Sequence, residues 1–290
     1  MTATTTNTTP VSNVTATTTA TARVISNRAP GFGATLNSEW TKLRSLRSTW
    51  IIASMAIGLS IGFSALIAFV SGLTSDSWNA TVRAAFDPVL TTNSGSLFGC
   101  ILLIVLGVTA VTSEYSSGMI RTTFIGNPRR NQVLAAKATV VALFGLMITV
   151  ISIPGMFLVS QPIFGHYGLP TASITDSSTY RILIAIFLTQ MLNYALIPFA
   201  IAWLLRGTAS AITVSIGMLW LPWMLGPILP NVVKHNVLRY LPDVAANSIS
   251  GIYKADNAVY LSHTLAMMVI AIWVLGLLAA AAIVLNRRDV

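Results

Sequence analysis

Long uncharged apolar stretches alternate with polar segments along most of the chain. Each stretch is close to the roughly 20 helical residues that cross the hydrocarbon core of a bilayer. Backbone polar groups in lipid must be satisfied within the segment, so the stretches are predicted to be membrane-spanning helices. There are six of them, at residues 50–70, 97–113, 138–160, 182–205, 208–229 and 264–285. Only Arg206 and Gly207 separate the fourth from the fifth, which predicts a tight antiparallel hairpin.

The composition supports an all-α integral membrane protein. Of the 290 residues, 54% are hydrophobic and only 9% are charged, whereas soluble proteins carry about 25% charged residues. The net charge of +9 does not indicate nucleic-acid binding, because basic cytoplasmic loops produce such an excess in membrane proteins. The single cysteine, Cys100, lies in an apolar stretch, so no disulfide framework or thiolate metal site is predicted.

The distribution of basic residues predicts the orientation of the chain. An even number of spans places both termini on one side, and most of the 17 basic residues then fall on that side. The positive-inside rule makes this side cytoplasmic. Residues 1–34 are predicted to be a disordered cytoplasmic tail, because their Thr-rich sequence offers too little apolar surface to fold. Residues 50–290 are predicted to form a single six-span domain.

Residues 35–49 are predicted to form an amphipathic helix that lies in the membrane interface before the first span. The apolar residues recur at helical spacing: Leu36, Trp40, Leu43, Leu46 and Trp50. The basic residues lie largely off that stripe: Lys42, Arg44 and Arg47. The alternative is a cytoplasmic extension of the first span.

The polar segment after the second span contains a second amphipathic pattern. Residues 113–125 predict a short helix that ends at the sequence Gly-Asn-Pro of residues 126–128. One face would carry Tyr115, Met119, Ile120, Thr123 and Phe124. An apolar face on such a short helix needs the membrane surface or a groove on a partner protein. Arg129, Arg130 and Lys137 follow, and they are best explained as an anchor that holds the loop on the cytoplasmic side.

The sequence offers no energy source for active transport. No lysine follows a glycine, so no phosphate-binding P-loop is present, and no Asp or Glu lies within a predicted span to form a proton relay. Two small-xxx-small pairs, Gly58 with Gly62 and Gly95 with Gly99, indicate close helix packing within one subunit or between two. Several polar residues within the spans are expected to form interhelical hydrogen bonds: Ser60, Ser64, Gln190, Asn193, Thr213 and Ser215.

Three segments resemble the permease subunits of bacterial ABC-2 type ABC transporters, particularly exporters. They are SEWTKLRSLRSTW before the first span, and TSEYSSGMIRTTF and PRRNQVLAAK after the second. The resemblance implies a non-catalytic six-helix permease in the bacterial plasma membrane. It further implies a homodimer with a second permease copy, served by two copies of a separate cytoplasmic ATPase. ATP and Mg would bind to that partner, and this chain would need no cofactor.

The resemblance also assigns roles to individual residues. The loop after the second span would be the coupling helix that docks on the ATPase, with Glu114, Tyr115, Gly118, Met119, Ile120 and Arg121. Residues 35–49 would be the elbow helix, with Trp40, Lys42, Arg44 and Arg47. The segment around residues 222–230, which contains three prolines, would be a broken re-entrant region at the outer face. Substrate-binding residues are not predicted. Two alternatives remain open: a secondary transporter or channel without an ATPase, and a membrane immunity or scaffold protein.

Overall fold

The computed structural model describes residues 30–287, which form helices joined by short turns, with no strand in that range. Residues 1–29, most of the predicted tail, lie outside the described residues. Six helical segments are long and apolar enough to cross a membrane: Arg47–Ser77, Ser96–Ser116, Arg130–His166, Ser177–Leu205, Thr208–Ile228 and His263–Arg287. The predicted all-α membrane fold with six spans is confirmed.

The helices are labelled in chain order, and their bounds are as follows. They are α1 (Phe32–Ser45), α2 (Arg47–Thr74), α3 (Ala80–Ala85), α4 (Pro88–Asn93), α5 (Ser96–Ser116), α6 (Met119–Gly126), α7 (Arg130–His166), α8 (Ser177–Met191), α9 (Ile197–Leu205), α10 (Thr208–Leu225), α11 (Asn231–Asn236), α12 (Pro242–Ile249) and α13 (His263–Arg287).

Two spans depart from simple straight helices of membrane length. Helix α7 has 37 residues, and at about 1.5 Å per residue it far exceeds a hydrocarbon core of about 30 Å. It therefore extends beyond the hydrocarbon core. A π-helical turn, Leu192–Leu196, joins α8 to α9 just before Pro198. Proline lacks an N–H and clashes with the preceding turn, and a wider turn at this point relieves both problems.

The centre of the bundle is formed by α5, α7 and α9. Helix α2 packs along α5 and α7, α9 packs against α5 and α13, and α12 lies against α13. The central helices bury large side chains, among them Leu103, Phe144, Phe199 and Trp203. The spans formed by α2, α10 and α13 are buried over much less of their length, so each presents an apolar face to the outside of the bundle. Those faces are suited to lipid or to a second copy.

The two predicted glycine pairs differ in their surroundings. A Cβ atom added to Gly95 or Gly99 would meet Ser60 of α2 within the same subunit, at 2.2 and 2.5 Å. Gly58 and Gly62 have nothing within 4 Å of such an atom. The first pair therefore allows close packing of α5 on α2, whereas the second pair lies on an open face.

A third glycine, Gly107 of α5, provides the clearest test of close helix packing. A Cβ added there would lie 2.4 Å from the backbone oxygen of Ala195 in the π-helical turn. Backbone cannot move aside as a flexible side chain does, so Gly107→Ala should lower the free energy of unfolding by about 1–3 kcal/mol. Thermal unfolding in mild detergent, followed by tryptophan fluorescence, measures this. Gly58→Ala is the matched control and should cause no loss. Equal stability of the two variants would contradict the packing described.

One end of the bundle gathers several chain segments that are far apart in sequence. The turn between α9 and α10 places the Arg206 guanidinium over the Tyr115 ring, 5.2 Å from its centroid. Arg130 Nη1 donates to the backbone oxygen of Leu285 over 2.7 Å, and Gln132 Nε2 donates to that of Pro30 over 2.9 Å. Both ends of the described range and the loop after the second span therefore lie at this end, which we call the loop end.

The opposite end contains the segment between the fifth and sixth spans. Helix α10 continues through Pro222 to Leu225 instead of breaking at this proline, and a 3₁₀ turn, Gly226–Ile228, follows. The short helices α11 and α12 come next. Six of the eight residues of α12 are buried, so this helix is packed into the bundle instead of lying on its surface.

Candidate functional site

The loop after the second span contains a shorter helix than the sequence pattern predicts. Helix α5 continues to Ser116, and α6 begins only at Met119. Gly118 separates them with φ of +72°, a conformation that strains residues with a side chain. Glu114 and Tyr115 therefore belong to the end of the second span, and only Met119, Ile120 and Arg121 of the predicted coupling residues lie on α6.

Helix α6 turns Ile120 and Phe124 inward. Ile120 is buried, and Phe124 is half-buried beneath the Arg130 guanidinium, 5.6 Å from the ring centroid. The exposed face carries Arg121, Thr122 and Ile125, and the Ile125 side chain is 83% exposed. Met119 lies at the edge of this face and is 42% exposed. The exposed face, which we call the α6 face, is therefore not the predicted apolar face.

A cluster of four charged side chains lies beneath α6, and three of them are buried, whereas the Lys42 side chain is 27% exposed. The Lys137 ammonium of α7 is 2.6 Å from Glu39 Oε2 of α1 and 2.8 Å from Glu114 Oε1 of α5. Lys42 of α1 completes the cluster, 2.8 Å from Glu39 Oε1 and 3.1 Å from Glu114 Oε1. Glu39 and Glu114 are the only two glutamates of the chain. Two positive and two negative groups leave the ion cluster with no net charge.

The charged groups of the ion cluster stabilise one another, because burial by itself disfavours the charged form of each group. Burial would raise the pKa of Glu39, but the charges and hydrogen bonds of Lys137 and Lys42 hold it below its ordinary value. Burial would likewise lower the pKa of Lys42, and the two glutamates raise it instead. A lowered acid pKa contributes stability that is lost as the pH falls through it, and a raised lysine pKa contributes stability that is lost as the pH rises through it. The ion cluster is therefore most stabilising near neutral pH.

The elbow region is attached to the loop by further hydrogen bonds. Lys42 Nζ donates to Thr123 Oγ1 of α6 over 3.2 Å. Asn127 Nδ2, at the end of α6, donates to Thr35 Oγ1 of α1 over 2.8 Å, and Gln132 Nε2 of α7 donates to the same atom over 2.9 Å. Helix α1 is thus joined to α6 and to the start of α7. A displacement of α6 would act on α1, α5 and α7 together.

The remaining predicted site residues lie around this centre. Tyr115 makes an edge contact with Trp203, with ring centroids 5.9 Å apart, and lies beneath Arg206. Trp40 packs on Phe144 with ring centroids 5.1 Å apart. Arg44 and Arg47 are exposed. Helix α1 ends at Ser45, and the extended residue Leu46 separates it from α2, which begins at Arg47.

Two of these charged residues were misjudged from the sequence. Lys137 is not a surface anchor, because its side chain is only 1% exposed and lies inside the ion cluster. Glu39, to which the sequence pattern assigns no role, is equally buried. A usable signal was present: Thr35, Glu39 and Leu43 recur at a spacing of four, and they are the residues that α1 buries. The rarity of glutamate was a second signal: Glu39 and Glu114 are the only two glutamates of the chain, and each follows a serine.

Comparison with known families agrees with this architecture. A family model described as an ABC-2 family transporter protein matches residues 35–220, nearly two thirds of the chain. The chain belongs to the ABC-2 transporter family. The matched region includes most of α1, the whole of α6 and all four residues of the ion cluster. No curated protein matches the chain at a significant level.

Membership of the family and the six spans identify a multi-pass membrane permease of the ABC-2 type. Membrane proteins of this family are generally non-catalytic components that work with ABC ATPases. The resemblance drawn from the segments around the first and second spans is thereby confirmed at the level of the family.

Proposed function

We propose that this permease is the membrane subunit of an ATP-driven exporter, coupled to a separate cytoplasmic ABC ATPase through α6. The observation that supports this most directly is the position of α6 on top of the ion cluster. The Ile125 side chain of α6 is 83% exposed. On the other side of the helix, Thr123 accepts a hydrogen bond from Lys42 of α1, and Ile120 and Phe124 belong to the apolar core of the bundle. ATP and Mg would bind to the partner, and this chain would convert the motion of the partner into a rearrangement of the spans.

The physical requirement for coupling is a difference in contact. A partner shifts the equilibrium between two conformations only if it binds them with different affinities. An ATPase that binds the α6 face tightly in one nucleotide state and weakly in another would meet this requirement. Because α6 is linked to α1, α5 and α7, the force would reach α1 and the second and third spans together.

The proposed assembly contains two permease copies and two ATPases, with the loop end in the cytoplasm. The excess of basic residues on the side of the termini supports this orientation by the positive-inside rule. The lightly buried outer faces of α2, α10 and α13 offer apolar surface for a second copy. The direction of transport is proposed from the resemblance to exporters.

Affinity purification from the native membrane tests the proposal. The tagged permease should retain an ABC ATPase through size-exclusion chromatography, and the complex should hydrolyse ATP. Reconstituted vesicles should then show substrate movement that depends on ATP. Transport by the permease alone without ATP would favour a secondary transporter or channel, and a stable complex that transports nothing would favour a scaffold. Absence of any associated ATPase would overturn the proposal.

A further inference from the structure

A cavity of about 470 Å³ opens within one protomer at the end of the bundle opposite the loop end. Its walls come from the start of α5, from α8 and its π-helical turn, from the last turns of α10, and from α12. The volume falls in the range of about 300–1,000 Å³ that accommodates drug-sized molecules. Trp223 and Met224 lie at its edge and are 67% and 64% exposed, so the cavity is accessible from the outside of the bundle.

The cavity contains a buried carboxylate that no span prediction had indicated. Asp243 of α12 lines the cavity and is 6% exposed. Tyr194 Oη donates a hydrogen bond to its Oδ1 over 2.5 Å, and Asn247 Nδ2 donates to its Oδ2 over 3.2 Å. These neutral donors hold the carboxylate in place. Burial nevertheless raises the pKa of Asp243 to about 6.

Asp243 has no cationic partner within the described part of the chain. The ion pairs among residues 30–287 are all in the ion cluster at the other end of the molecule. A buried charge without a counterion is costly, and proteins that retain one generally use it. The carboxylate is ionised above pH 6 and faces the cavity, so the missing positive charge is best supplied by a ligand.

The other side chains that line the cavity favour a ligand with a hydrophobic body. Trp220 and Trp223 line the cavity together with Leu97 and Ile186, and most of its surface is apolar. Tryptophan faces attract organic cations through their negative π-surface, and apolar walls favour a hydrophobic body. The π-helical turn contributes as well: it carries Tyr194, and its Asn193 Nδ2 donates to the backbone oxygen of Pro242 over 3.0 Å. The turn thereby fixes the start of α12 and the position of Asp243.

We propose that this cavity binds an amphipathic organic cation, with Asp243 as its counterion and the tryptophans of α10 around its hydrophobic body. A metal ion would leave the apolar walls unused, and a neutral lipophile would leave the carboxylate unpaired. The inference concerns binding to the isolated permease, so it does not require the proposed coupling to an ATPase.

Equilibrium dialysis of radiolabelled tetraphenylphosphonium against the purified chain tests the inference. Dodecyl maltoside is the detergent, because its uncharged headgroup supplies no competing cation. Wild type should bind one tetraphenylphosphonium per chain saturably, and Asp243→Asn should bind at least 10-fold more weakly. Asp256→Asn, which removes an exposed carboxylate from the same segment, should bind as wild type does. Triphenylphosphine oxide, a neutral analogue, should compete poorly in wild type.

The pH dependence of binding provides a second measurement. The titratable groups that face Asp243 are Tyr194, Tyr253 and Cys100, and none is charged between about pH 4.5 and 7.5. Protonation of Asp243 removes the negative charge, so cation affinity should fall as the pH is lowered through about 6. The fall should be absent in Asp243→Asn. Equal binding by wild type and Asp243→Asn, equal affinity for the neutral analogue, or affinity independent of pH would each overturn the proposal.

Discussion

Replacement of Lys137 by methionine is expected to destabilise the permease by about 3–5 kcal/mol, the largest effect predicted for a single substitution in this chain. Methionine fills a similar volume but removes the charge that lies 2.6 Å from Glu39 and 2.8 Å from Glu114. Lys42 alone then faces two carboxylates, and at least one of them remains buried without a full partner. Thermal unfolding of the purified protein in mild detergent measures the loss.

A compensating variant separates loss of the ion pair from loss of packing. Glu114→Gln combined with Lys137→Met removes one negative and one positive charge, and it leaves the Glu39–Lys42 pair intact. This double variant should recover most of the stability, since a buried pair replaced by neutral groups is often tolerated. Arg44→Met, at an exposed position of α1, should change stability by no more than about 0.5 kcal/mol. A double variant as unstable as Lys137→Met would contradict the role assigned to the ion cluster.

Ile125→Asp is expected to abolish retention of the ATPase while leaving the permease folded. The Ile125 side chain is 83% exposed at the centre of the α6 face, so the substitution removes no internal contact of note. A carboxylate placed in a desolvated docking contact makes the free energy of ATPase binding less favourable by about 2–4 kcal/mol, which weakens the affinity by roughly 30-fold to 1,000-fold. The ratio of ATPase to permease after size-exclusion chromatography gives the result, and ATP-dependent transport should fall with it.

The chain offers a matched control for this experiment. Ile228 is 77% exposed and lies at the opposite end of the fifth span, so Ile228→Asp introduces the same change on a comparable surface. Retention of the ATPase should be normal in this variant. Glu114→Ala is a poor probe of docking, because the carboxylate is buried and its removal damages the ion cluster. Full retention of the ATPase by Ile125→Asp would remove α6 from the docking surface.

The membrane class, the number of spans and the hairpin at Arg206 follow from the amino-acid sequence alone. These features depend on local properties: a run of apolar residues of sufficient length forms a helix in lipid wherever the rest of the chain lies. The short helix after the second span was also visible from its apolar spacing. Its start was misplaced, because Gly118 is compatible with a helix in sequence and breaks it only through its positive φ.

The identity of the buried charged residues depends on tertiary packing. Glu39, Glu114 and Lys137 each stand in a polar segment, where an exposed position is the ordinary expectation. Helix α1 packs against α7 and meets the end of α5 at the Lys42–Glu114 pair, so these charged groups are brought into contact and stabilise one another. The burial of Asp243 likewise depends on packing. The sequence around it is typical of an outer loop, but α12 packs against α8 and α13. Burial of a charge depends on contacts between residues distant in sequence. A local pattern such as the spacing of Thr35, Glu39 and Leu43 can indicate a buried face, but it does not identify the residues packed against that face.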